Sequence, residues 1–138
     1  MLTNDLTKKH LLFQFKIKGH FNNTRQVLKS VGFVNKIRMV LEMAVLQVIK
    51  GEEQNFERDF TIASQFIQSI PGYASHSLRK CLEEENKYLL LVDWEKLEDH
   101  TVGFRESEAY LEWKKLLHHY YNPFPVVEHY EMVLENKK

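Results

Sequence analysis

Two hydrophobic periods alternate along the chain from residue 39 onward, and they predict a small mixed fold. "MVLEMAVLQVIKG" (39–51) is aliphatic and β-branched and closes on Gly51, which predicts a first strand over 41–49. In "EEQNFERDFTIASQFIQSI" (52–70), Phe56, Phe60, Ala63, Ile67 and Ile70 recur at alternating steps of four and three, the apolar stripe of one helix. Acids load its first turn, where the helix dipole favours them, and Pro71-Gly72 stops it. "YASHSLRKCLE" (73–83) predicts a second strand, "EEN" (84–86) a turn, and the mostly apolar "KYLLLVDWE" (87–95) a third strand at the centre of its sheet. Asp99 is a candidate cap for a short helix over 99–105. Ser107 is a candidate cap for a longer one over 106–121, which "NPFP" breaks because proline cannot continue a helix. "VVEHYEMV" (126–133) alternates as a last strand. The order β-α-β-β-α-β is the split βαβ, so the expected class is α+β with a ferredoxin-like protomer.

The first 38 residues read differently. "FQFKIK" alternates like a strand and "NNTRQVLKSVGF" suits a short helix, yet neither pairs with later segments. Charge marks the same boundary: residues 1–38 carry eight Lys/Arg against one acid, and residues 39–138 carry eleven against eighteen. The sequence thus divides into a basic N-terminal extension (1–38) and a domain proper (39–138). The extension reads as a solvated tail, or as a mis-assigned start. Clustered Lys/Arg is what nucleic acid or anionic lipid requires, and the acidic hundred residues lack it, so neither is an expected partner of the domain.

A composition of 43% hydrophobic residues supplies a real core for one domain of 138 residues. The single cysteine, Cys81, makes an internal disulfide impossible and fits a reducing, cytoplasmic setting. Acids at 83–85 would raise its thiol pKa, so it reads as a packing residue. No apolar run has transmembrane length, and the N-terminus lacks a signal-peptide pattern.

Aromatic and histidine residues crowd "KKLLHHYYNPFPVVEHYE" (114–131). On a helical wheel Ala109, Tyr110, Trp113, Leu116, Leu117, Tyr120 and Tyr121 share one broad face, with His119 opposite and His118 on the flank. No HExxH and no Cys/His cluster occurs, and His129 with Glu131 falls short of a ligand set, so no metal is expected. Tyrosine and tryptophan carry polar groups that want partners when buried. With Trp94, they suggest a ring-lined cavity between sheet and helices. His100 in "LEDHTVGFRES" is the candidate base. At a helix N-terminus the dipole disfavours imidazolium and leaves a neutral imidazole; otherwise it is an exposed residue without a role. Arg105 holds a substrate anion or pairs with one of the many acids.

"IPGY", "YLLLVDWE", "DHTVGFRESEAYLEW" and the closing "PFPVVEHYE" together resemble the antibiotic biosynthesis monooxygenase (ABM) domain over about residues 39–132. The resemblance implies a dimeric α+β barrel of two ferredoxin-like protomers, in keeping with strands 41–49 and 87–95, which are too apolar to stay wet on a bare sheet face. It also implies an oxygenase needing no flavin, haem or metal. Such an enzyme deprotonates a small electron-rich aromatic or quinol and passes an electron from the anion to O2. His100 would be the catalytic base, and Trp94, Phe104, Tyr110, Trp113 and His129 the substrate pocket, with no cofactor. A non-catalytic ligand-binding protein of the same fold is the alternative. A haem-degrading branch carries an Asn, Trp, His set whose positions here hold Ala44, Phe104 and Trp113, and this disfavours haem chemistry.

Overall fold

A computed structural model describes residues 38–138. All but the last residue of the basic segment, with the strand and helix expected in it, lies outside the described residues. The elements are β1 (Val40–Gln47), α1 (Glu53–Gln68), β2 (Tyr73–Lys80), β3 (Lys87–Trp94), a π-helical turn (Asp99–Phe104), α2 (Glu108–Leu117), a 3-10 turn (His118–Tyr120) and β4 (Val127–Glu131). They form one sheet in the order β2-β3-β1-β4, with every neighbouring pair antiparallel. This is the ferredoxin-like α+β fold that the element order predicts.

The helical stripe is realised as read: Phe56, Phe60, Ala63, Ile67 and Ile70 are all buried against the sheet. Phe56 lies at its centre, edge-on to Phe60, Tyr88, Tyr120 and Tyr121 at 5.0–6.0 Å between centroids. Truncating so enclosed a ring forfeits its transfer energy and leaves a cavity. Phe56→Ala is therefore expected to cost about 3–5 kcal/mol, read as a shifted urea midpoint at unchanged slope.

Several local expectations are corrected. Ser107 does cap α2, its Oγ accepting from Tyr110 N–H at 3.1 Å. Asp99 caps nothing; its carboxylate instead accepts from Lys96 N–H at 3.0 Å and closes the turn ahead of the π-helical segment. The strand expected to reach Glu83 ends at Lys80, and Cys81 sits half-buried beyond it with its thiol donating to Glu83 at 3.3 Å. It is a loop residue, not a packing one. The second helix ends at Leu117 and tightens into the 3-10 turn before Tyr121.

Alternation along β1 and β3 gives the sheet two unlike faces. Ala44, Leu46, Val48, Leu90, Val92 and Trp94 point into the helical layer and are buried. On the other face Met43 stands opposite Leu91 and Val45 opposite Leu89, with Leu41 beside Tyr130. Within the described chain these are partly covered at most, and Val45 is 43% exposed.

Candidate active site

One end of the sheet is shaped by the segment after β3. Gly72 sits at φ +85°, and a Cβ there would collide with the Asp99 carboxylate. Glycine thus meets both a backbone and a steric demand. Arg105 N–H donates to His100 O at 3.0 Å, the five-residue spacing of a π-turn. In an α-helix, residues five apart are splayed by about 140°. The wider winding brings His100 and Arg105 to one side, and Arg105 Nε lies 3.3 Å from His100 Nε2.

His100 is 2% exposed. Its ring stacks on Trp94 at 5.5 Å and 23°, with Phe104 at 6.1 Å. Its nitrogens have separate partners. Nδ1 is 2.7 Å from His129 Nε2, and Nε2 is 3.5 Å from Glu42 Oε1. Because Arg105 donates to Nε2, the His100 proton resides on Nδ1 and is donated to His129. Glu42 is 4% exposed and accepts from the Trp94 indole at 2.8 Å through Oε2.

Burial acts on the two groups in opposite senses. It lifts the Glu42 carboxyl to about 7, against the opposing pull of the Trp94 hydrogen bond and the Arg105 charge. It drives His100 down to about 3, helped by Arg105 and His129. His100 is therefore neutral, as the sequence suggests, but by desolvation rather than by a helix dipole. It is also far too weak a base to hold a proton near pH 7. Glu42 is matched to that task, and sequence reasoning missed it.

The pocket above these groups is floored by Glu42, Ala44, Leu46 and Leu90. His100, Phe104, Arg105, Tyr110 and Trp113 wall it, and His118, Tyr121 and the exposed Phe124 also belong to its lining. Its volume is about 50 Å³, room for a few waters.

Residues 39–116 match the sequence model of the antibiotic biosynthesis monooxygenases. The chain belongs to the ABM family. Protein YczJ of Bacillus subtilis (strain 168), itself uncharacterized, is 57% identical over 95 residues, which is 69% of this chain and all of YczJ. A crystal structure assigned to the antibiotic biosynthesis monooxygenases, from Bordetella bronchiseptica, superposes at TM-score 0.68 with 33% identity, over 70% of this chain and 99% of the other. SnoaB, a cofactor-independent oxygenase from Streptomyces nogalater, shares the fold at TM-score 0.56 and 18% identity, over 72% of this chain and 96% of its own.

On this ABM frame the candidate residues separate into three groups. His100, Phe104, Tyr110 and Trp113 line the pocket. Trp94 is fully buried behind Glu42, and His129, outside the lining, is joined to His100 from β4. His119 is exposed, while His118 contributes to the pocket and packs edge-on to Phe124 at 4.9 Å. Arg105 donates to His100 and to the Tyr110 hydroxyl, at 3.3 and 3.4 Å. A second cluster looks like a nucleophile relay: Tyr73 Oη is 2.6 Å from His76 Nδ1, and Ser64 Oγ is 3.0 Å from His76 Nε2. However, Ser64 commits its proton to the Phe60 carbonyl at 2.9 Å, so the cluster ties α1 to β2. Among the described residues no group of three or more His, Cys, Asp or Glu is arranged to hold a metal.

Proposed function

We propose that the protein is a cofactor-independent monooxygenase acting on a small electron-rich phenol or hydroquinone with O2, as a cytoplasmic homodimer. The observation that carries this reading is Glu42, a buried carboxyl lifted to about 7 at the floor of an aromatic pocket. Membership of the ABM family and the likeness to SnoaB, a cofactor-independent oxygenase, support the reaction class.

Glu42 takes the substrate O–H proton, and Arg105 and the Tyr110 hydroxyl face the phenolate that forms. The anion gives one electron to O2 and the two radicals join at a ring carbon. The ring C–H bond then breaks, a C=O forms and the O–O bond cleaves. One oxygen stays in the quinone, and the other leaves as water with the two protons. At about 50 Å³ the resting pocket is too small for an aromatic ring, so its lining has to open to admit one. Ligand binding without turnover is the second reading, since the aromatic walls Phe104, Tyr110 and Trp113 suit a bound ring whether or not it reacts.

The test is O2 uptake by chelator-treated protein offered substituted hydroquinones, followed by mass analysis with isotopically labelled O2. Saturable uptake with label in the quinone is expected, rising with pH through about 7 as Glu42 ionises. A ligand that binds and is recovered unchanged supports the second reading. Turnover only on addition of flavin or metal overturns the first.

A further inference from the structure

The pocket carboxyl has a route to the surface that substrate deprotonation alone does not use. Glu42 and His129 are cross-strand partners on β1 and β4, yet their side chains are connected through a third residue on another element. We infer that Glu42, His100 and His129 form a proton relay, in which His100 passes the proton without ever holding it and His129 exchanges it with solvent. This inference rests on the oxygenase reading of the same site.

The geometry is directional. Glu42 Oε1 faces His100 Nε2 at 3.5 Å, an apo distance that shortens when a proton lies between them. On the far side His100 Nδ1 already donates to His129 Nε2 at 2.7 Å. His129 stands half-buried on the edge strand β4, where the sheet meets water. The bonds balance once Arg105 turns to the phenolate and its hydrogen bond to His100 Nε2 breaks: Glu42 O–H breaks as His100 Nε2–H forms, His100 Nδ1–H breaks as His129 Nε2–H forms, and His129 Nδ1–H is released to water. His100 gains and loses a proton together, so its weak basicity is no obstacle. Bases that hold protons would trap them there. When the O–O bond cleaves, the returning proton runs the same path backwards and restores each tautomer.

The groups facing Glu42 are His100 and Arg105 of the π-turn, His129 of β4, and Tyr110, His118 and Tyr121 around the pocket. Among these, His129 joins Glu42 to solvent through hydrogen-bonding nitrogens, and Arg105 fixes the starting tautomer of His100.

Two measurements on His129→Phe and His129→Gln test the relay. The glutamine keeps size and polarity in case the phenylalanine misfolds. In steady state, kcat is expected to fall about 10–100-fold with KM unchanged, and added imidazole is expected to restore much of the loss. Independently of turnover, a pH jump followed at the Glu42 carboxyl infrared band, assigned by its loss in Glu42→Gln, is expected to relax at least tenfold more slowly in both variants. An unchanged relaxation rate, or a slowing that imidazole fails to rescue, overturns the relay. Absence of O2 uptake by the native protein overturns the oxygenase reading instead, and leaves the infrared result standing.

Discussion

Glu42→Gln is expected to lower kcat by about 10²–10⁴-fold and at the same time to make the protein more stable at pH 8. Both effects have one cause. The native carboxyl titrates at about 7 instead of its ordinary 4.5 because ionising it means leaving a charge in a desolvated site. A folded-state pKa raised above the unfolded one favours the fold only while the proton is bound. Stability therefore falls as pH rises from about 4.5 to about 7, by roughly 3 kcal/mol in all. Glutamine keeps an oxygen for the Trp94 indole and has no charge to bury. Its advantage over the native protein should be near zero at pH 4.5, grow to about pH 7 and then level off. His100 slopes the other way: its depressed value means the unfolded chain binds a proton below pH 6.5 that the fold refuses, so that contribution is lost as pH falls toward about 3. Denaturant melts of both proteins at several pH values check this, alongside initial rates. A parallel loss of stability and activity in the variant would show that Glu42 is structural.

In the proposed homodimer, Leu91→Arg is expected to leave monomers of 16.5 kDa without disturbing the protomer. Leu91 lies opposite Met43 in the middle of the sheet face turned away from the helices, with Val45, Leu89 and Leu41 around it. In a two-fold assembly each such residue counts twice, so one substitution buries two unpaired charges. At several kcal/mol for each, the dissociation constant should rise by about 10³-fold or more. Light scattering behind a sizing column gives the mass, and circular dichroism verifies the fold. A variant that stays dimeric would place the interface elsewhere, and a native protein of monomer mass would overturn the dimer.

How much of this was legible depended on whether a period separated two faces. The α1 stripe from Phe56 to Ile70 could be read because polar and charged residues fill most of the remainder of the helix. Ser107 announced its helix by side-chain chemistry alone. Glu42 had a signal too, a charge in phase with Ala44, Leu46 and Val48. It went unread because Leu41, Met43 and Val45 make the opposite face of β1 equally apolar, and the inward parity could not be chosen. The π-turn leaves no periodic trace, so its pairing of His100 with Arg105 was invisible, as was the long-range bond to His129. His100, Phe104, Tyr110 and Trp113 were found by residue type, and their grouping needed coordinates.

The π-turn after β3 is wound one residue wider than an α-turn. Deleting a single codon within 99–104 would let the segment close as ordinary helix and rotate Arg105 away by about 100°. The two histidines would lose the guanidinium that sets which nitrogen bears hydrogen, though every side chain remained in the gene. Within this scaffold, acquiring or discarding proton traffic can thus be a matter of length, and a lineage could cross that line in one mutational step.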